Sequence, residues 1–415
     1  MKFQINSLIS NYYSYKKLRP LVTAIASVVA SAAWLSPVVQ AQDVIRVGLI
    51  TDLSGVYIDT EGPGGVVALQ MAIDDYGGKV LGKPIELLVA DHQNQSDIAA
   101  SKAREWFDQR NLTMLVGGST SGPALAMARV AEEKKRVYFE NSAASPALTN
   151  DQCSPYTIHY AYDVVALAKG TGSAVVDNGG KTWFFMTADY AFGHDLVKNT
   201  TKVIEANGGK VLGSVAHPLN ASDFSSFIMQ AQSSKAQILA FADAGADFVN
   251  GVKAAGEFGV AKNMKLVGMM VLGNDIHSLG LKATQGLMYT DSWYRDRNPE
   301  SRKFAERFFE KTKKMPDSIQ AGDYSSMMNY LKAVDAVKTT DADTVMAYLK
   351  SHPLDDFFAK GVIRPDGRYA HDMYLMQVKS PAESKGPWDL SKMIKMLPSD
   401  EVWTTKAEST CKLWK

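Results

Sequence analysis

A regular alternation of strand-like and helix-like segments limits this chain more than any other feature. Residues 44–50 form a β-branched run that ends in the loop Thr51-Asp52-Leu53-Ser54-Gly55. Gly62-Pro63-Gly64-Gly65 then opens a segment with Val66, Leu69, Ile73 and Tyr76 at helical spacing, closed by Gly77-Gly78. A strand is expected over 84–90, then a helix capped by Ser96 with Ile98, Ala103, Trp106 and Phe107 on one face. Short buried strands at 114–117 and 137–140 flank a helix at 123–134. From Asp163 the rhythm resumes: helix to Asn178, strand 182–186, helix from Gly193, strand 211–215, a helix capped by Ser222, and strand 238–241. A helix from about Asp247 and a strand over 266–270 complete it. Such alternation specifies α/β architecture, with parallel sheets covered by helices on both faces. With 415 residues, 46% of them hydrophobic, the chain can bury the cores of two domains. Gly77-Gly78-Lys79-Val80-Leu81-Gly82 recurs as Gly208-Gly209-Lys210-Val211-Leu212-Gly213, which points to two similar halves.

The first forty residues read as an address rather than as part of the fold. A basic stretch ending Lys16-Lys17-Leu18-Arg19 precedes an apolar run over 21–35, and Pro37 breaks it. Val39-Gln40-Ala41 places small residues at −3 and −1 of a cut before Gln42, so residues 1–41 are expected to be a cleaved secretory signal peptide. Fifteen residues fall short of the roughly 20 that a membrane-spanning helix needs. Export also gives meaning to Cys153 and Cys411. In an oxidising compartment a pair of cysteines is expected to form a disulfide, against the alternative of two free thiols.

Forty-five Lys and Arg against 44 Asp and Glu leave no basic excess for nucleic acid. Catalytic and cofactor motifs fail on inspection. Gly62-Pro63-Gly64 has Val67 where a dinucleotide fingerprint needs its third glycine. Gly118-Ser119-Thr120-Ser121-Gly122 has Thr120 where a hydrolase elbow needs serine. No P-loop lysine follows a glycine run, and the seven histidines form no metal-binding pair. No catalytic residue, metal or cofactor is therefore expected. The surviving candidates are loops at strand ends, where open α/β sheets bind ligands. Ser119-Thr120-Ser121 follows the third strand and Asn141-Ser142-Ala143-Ala144-Ser145 the fourth. Hydroxyls beside a helix N-terminus suit a carboxylate, although Ser121 and Ser145 could equally be plain helix caps.

These loops carry a resemblance to a known family. Ile50-Thr51-Asp52-Leu53-Ser54-Gly55, residues 117–121, and Ala143-Ala144-Ser145-Pro146-Ala147-Leu148-Thr149 resemble the periplasmic substrate-binding proteins of branched-chain amino acid type ABC transporters. Asp189-Tyr190-Ala191-Phe192-Gly193, Ser222-Asp223-Phe224 and Asp366-Gly367-Arg368 match as well. The resemblance implies a type I periplasmic binding protein: two doubly wound parallel-sheet lobes joined by three hinge crossings, near 160–163, 291–294 and 364–369. Lobe 1 is then 42–162 plus 292–364, and lobe 2 is 163–291 plus 365–415. It further implies a periplasmic, non-enzymatic monomer that hands a small-molecule carboxylate to an ABC permease and ATPase in the inner membrane. By position, Ser121, Ala143 and Ser145 would take the ligand carboxylate, with Ser119 and Thr120 close by. Tyr190 and Phe192 would close over the ligand, and Tyr57 would line its side-chain pocket.

One departure bears on the ligand. Amino acid binders of the family carry an acid at the end of a second-lobe strand, and here Met270 stands in that place. An ammonium left unpaired in a closed cleft costs several kcal/mol. An aromatic or apolar carboxylate is therefore favoured over a branched-chain amino acid, unless Asp243 supplies the missing charge. A ligand sensor for a signalling receptor and a periplasmic hydrolase are the competing functions.

Overall fold

The computed structural model describes residues 43–414; the expected signal peptide lies outside them. The first sheet contains β1 (Ile45–Thr51), β2 (Lys79–Val80), β3 (Lys83–Asp91), β4 (Leu112–Val116), β5 (Val137–Glu140) and β6 (Thr157–His159), in the order β2-β3-β1-β4-β5-β6. All its pairings are parallel except β2 with β3. The second sheet contains β7 (Thr182–Ala188), β8 (Lys210–His217), β9 (Ile238–Ala242) and β10 (Lys265–Gly268), in the fully parallel order β10-β9-β7-β8. In each sheet the chain leaves its first strand to one side, then returns to build on the other. The direction of winding therefore reverses between β1 and β4, and again between β7 and β9. Such switch points open a crevice beyond the carboxyl ends of the strands.

The expected alternation is present, with shifts at element ends. Neither Ser96 nor Ser222 caps a helix: Ser96 is the first residue of the helix Ser96–Gln109, and the later helix is Ser225–Ser233. The echoed hexapeptide serves two structures. Its first copy turns back through Leu81 and Gly82 to make the antiparallel β2–β3 hairpin, whereas its second runs straight into parallel β8. Trp106 and Phe107 of Ser96–Gln109 pack with Leu112 and Leu115 of β4 under one face of the first sheet. On the other face, Gly62–Asp75 packs against the 20-residue helix Ser318–Val337. Asp317 caps that long helix, and its own N–H donates to Gln320 Oε1 at 2.7 Å.

Three connections join the sheets. The first follows β6 at 160–163. The second follows β11 (Met288–Asp291) and leads by way of 292–298 to the helix Pro299–Thr312. Residues 364–369, expected to cross, instead make the turn between β13 (Lys360–Ile363) and β14 (Tyr369–His371), which pair antiparallel with each other. β12 (Leu354–Asp355) completes that small sheet. The chain passes over at Asp372 into β15 (Met373–Val378), which pairs with β11 and with β16 (Ser391–Leu397). Arg368 knots these strands at the hinge. Its buried guanidinium lies 2.7 Å from Asp163, donates to the His159 carbonyl at 3.0 Å and packs on Trp403. Cys153 and Cys411 are disulfide-bonded across a sequence separation of 258, which ties the C-terminal segment to the loop before β6. No helix among the described residues is long and apolar enough to cross a membrane.

Candidate functional site

The carboxyl ends of β1, β4 and β5 meet those of β7, β9 and β10 across a narrow cavity. Thr60, Ser119, Ser121, Ser142 and Ala144 line it from the first sheet's side, and Tyr190, Phe192, Ala244 and Met270 from the second. Tyr57 reaches over from the loop after β1.

The polar wall depends on a backbone that only glycine permits. Gly117 and Gly118 have φ of +102° and +146°. A Cβ on Gly117 would meet the Ile50 carbonyl at 2.5 Å, and one on Gly118 the Glu140 carboxyl at 2.1 Å. This tight turn delivers Ser119 to the cavity and starts the helix Ser121–Lys134 at its edge. The first N–H groups of a helix have no intrahelical acceptor and carry partial positive charge. The Ser121 and Ser142 hydroxyls are both buried and have no hydrogen-bond partner in the protein. Unpaired buried hydroxyls are costly and act as ready donors for a bound acceptor.

Two of the expected first-lobe residues, Ser119 and Ser121, line the cavity. Thr120 does not, and its hydroxyl bonds Asn94 at 3.3 Å. Ala143 and Ser145 also stand outside the lining. Glu140 explains the difference: its carboxylate accepts the Ser142 and Ala143 N–H groups at 2.7 and 2.5 Å. The Ala143 N–H is thereby committed, and the extended chain turns Ser142 and Ala144 to the cavity in alternation. Serine at 142 was within the loop singled out by sequence, one residue from the expected register. Thr60 and Ala244 carry no sequence signal that separates them from ordinary loop residues.

The opposite wall holds Tyr190, Phe192 and Met270 as expected, with the Tyr190 and Phe192 rings 5.8 Å apart. The Tyr57 and Tyr190 hydroxyls hydrogen-bond at 2.7 Å across the cavity. Burial pushes both phenols up, so both stay protonated at neutral pH. The two sides also touch through backbone: the Ala246 N–H donates to the Val56 carbonyl at 3.2 Å. Gly245, with φ +60°, makes that approach possible, because a Cβ there would meet the Val56 oxygen at 2.7 Å. Asp243 lies behind the wall. It is fully buried, and its Oδ2 pairs with His217 Nε2 at 3.2 Å. Burial raises its carboxyl to about 6, with the His217 bond pulling the other way. None of the ten described residues lining the cavity is acidic. No cluster of potential metal ligands occurs among the described residues.

Comparison with known proteins places this architecture. A family model described as periplasmic binding protein matches residues 44–387. The solved structure of a periplasmic binding protein from Burkholderia mallei is 61% identical; the match covers 90% of this chain and all of that one, with a TM-score of 0.88. A branched chain amino acid ABC transporter periplasmic ligand-binding protein from Burkholderia xenovorans LB400 is 38% identical over 89% of this chain and all of that one, with a TM-score of 0.80. An ABC transporter solute-binding protein from R. palustris, solved in complex with benzoate, shares the fold at 20% identity; the match covers 89% of this chain and all of that one, with a TM-score of 0.79. These relatives are binding proteins rather than enzymes, and with them this chain belongs to the periplasmic binding protein family, as a type I, two-lobed solute-binding protein of the ABC transporter kind.

Proposed function

We propose that the protein captures a small carboxylate in the periplasm, an aromatic or apolar acid in preference to an amino acid, and delivers it to an inner-membrane permease and ATPase. The observation that carries this reading is the pair of unpartnered buried hydroxyls, Ser121 at a helix start and Ser142 in the loop after β5, facing a wall of Tyr57, Tyr190, Phe192 and Met270. Donors converge on one end of the cavity and aromatic rings on the other. That polarity suits a flat anion with an apolar body. Benzoate in the R. palustris neighbour is a ligand of this kind. The lobes belong to the same proposal, with the expected 364/365 boundary moved to the crossing at Asp372: 42–162 plus 292–371 and 163–291 plus 372–415, closing on the ligand as a monomer after removal of residues 1–41.

Branched-chain amino acid binding is the second reading, favoured by the B. xenovorans relative. It needs an anion beside the ligand ammonium, and Asp243, the acid expected to supply it, stands outside the lining with its Oδ2 bonded to His217. A thermal-shift screen separates the two. One panel holds amino acids; the other holds benzoates, cinnamates and short aliphatic acids. Ligand at 100 times its dissociation constant adds about 2.7 kcal/mol, a shift of a few degrees. A response confined to the second panel is expected, and a response to leucine or valine would reverse the assignment. Ser121→Ala should weaken the selected carboxylate by about 1.5–3 kcal/mol, because its hydroxyl would bond a charged acceptor. Unchanged affinity by titration calorimetry would remove Ser121 from the site.

A further inference from the structure

Behind the polar wall lie three carboxyls, Glu61, Glu140 and Asp323, all fully buried. None of the three enters an ion pair among the described residues. Glu61 touches the cavity through two hydroxyls. Its Oε2 bonds the Thr51 hydroxyl, and Thr51 Oγ1 lies 2.7 Å from Ser119 Oγ, which lines the cavity. Ser119 Oγ also accepts the Asp52 N–H at 3.2 Å and stands 3.4 Å from Glu61 Oε2.

We infer that Glu61 is a positioning residue that makes anion binding proton-coupled: only when its carboxyl is protonated does Ser119 donate into the cleft. This rests on the proposed carboxylate ligand and follows from counting protons. Each hydroxyl has one proton to give and two lone pairs to receive. With Glu61 protonated, its O–H donates to Thr51 and the Thr51 O–H donates to Ser119. Ser119, already accepting from Asp52 N–H, has both lone pairs filled and its proton free for the cavity. With Glu61 ionised, Thr51 must donate to the carboxylate and Ser119 turns its proton back toward Thr51 or Glu61. The cavity then meets a lone pair, which repels an anion.

Glu61 and Glu140 are both held protonated by burial up to about neutral pH, and of the two only Glu61 is hydrogen-bonded to Thr51 and Ser119. Glu140 accepts the Ser142 and Ala143 N–H groups, yet burial and the field of Glu61 push its carboxyl up to about 8, and the Tyr138 hydroxyl beside it has its own proton on the Gly117 carbonyl at 2.6 Å. Glu61 has no donor on Oε1. Asp323, Tyr138 and Tyr162 complete the titratable groups whose fields couple to Glu61. Burial raises the Glu61 carboxyl to about 7, against the pull of its Thr51 and Ser119 bonds. A ligand anion raises it further, so binding at neutral pH takes up a proton.

The test is titration calorimetry with benzoate, which stays ionised throughout, from pH 6 to pH 9 in buffers of different ionisation enthalpy. Wild-type affinity should fall by up to about tenfold per pH unit above neutrality, with uptake of up to about one proton. Glu61→Gln, whose amide can donate permanently to Thr51, should lose the pH slope and the proton uptake. Thr51→Val should lose the slope as well, and Thr51→Ser should restore it, so the result does not depend on the Gln variant folding. A wild-type affinity flat with pH and without proton uptake overturns the coupling while leaving the carboxylate reading intact. A slope retained in Glu61→Gln and in Thr51→Val does the same. Failure of benzoate and every other acid of the screen to bind at pH 6 overturns both.

Discussion

At the cleft, the first sheet ends in Ser119, Ser121 and Ser142, and the second in Tyr190, Phe192 and Met270, although both sheets wind by the same rule. Buried acids stand behind both walls, and here too the sides differ. Glu61 and Glu140 face hydroxyl and amide donors, whereas Asp243 faces the imidazole of His217. Asp243 shares one oxygen with an imidazole of its own lobe and reaches the cavity only as a field on the Tyr57 and Tyr190 phenols. An acid beside hydroxyls passes its protonation state outward through them. A ligand held between these walls meets polarity from one side alone, which fixes which of its ends enters which lobe.

The comparison is broken most severely by removing the aromatic side. Tyr190→Ala deletes both a ring wall and the bond to Tyr57, and affinity for the carboxylate chosen by the screen should fall by about 3 kcal/mol, roughly 100-fold. Tyr190→Phe keeps the wall and should cost only about 1 kcal/mol, the worth of one hydrogen bond. Equal losses in the two variants, measured by calorimetry, would show that the phenol rather than the ring does the holding. Gly245→Ala attacks the meeting of the walls instead. Its added Cβ would press on the Val56 carbonyl only when the lobes are together. Affinity should drop by about 2 kcal/mol, while small-angle scattering of the ligand-saturated variant shows a larger radius of gyration than wild type. A compact, tightly binding variant would exclude the Val56 contact from the bound form.

Local signals carried much of this molecule. Strand runs, glycine stops and hydroxyl-rich loops after β4 and β5 are readable because each depends on residues close in sequence. The misplacements come from contacts, local and distant, that periodicity does not encode. Ala143 and Ser145 were expected at the ligand carboxylate and Ser142 was not, but the grip of Glu140 on the Ser142 and Ala143 N–H groups sets which residues face inward. Asp243 looked available for a ligand because its partner His217 is 26 residues away, at the end of β8, with β7 lying between that strand and β9. Glu61 gave no signal at all. A glutamate before Gly62-Pro63 reads as an ordinary helix opening, and only the fold puts it against Thr51 and Ser119. The third connection moved from 364–369 to Asp372 because β14 pairs back onto β13 before the chain leaves. The echoed hexapeptide kept its glycine helix stop in both halves, but the pairing partner decided what came next.

The smallest expected effect concerns the buried acid of the second lobe, and it is read as stability against pH. Asp243 is raised to about 6 in the fold, against an unfolded carboxyl near 4. Between those values the unfolded chain has released its proton and the folded chain still holds it, so the stability this residue contributes falls as pH rises. Below about pH 4 both states are protonated, and above the folded value both are ionised, so the slope is confined to that window. His217, itself raised by Asp243 against the opposing effect of burial, adds a decline of the same sign above its unfolded value near 6.5. Asp243→Asn removes both slopes. Urea unfolding at pH 4, 5, 6 and 7 should therefore show wild type losing on the order of 1 kcal/mol relative to the variant between pH 4 and 6. Other titrating groups are common to both proteins and cancel in the difference. Parallel curves would mean that the fold does not hold the Asp243 carboxyl above its ordinary value, and that its bond to His217 offsets the effect of burial.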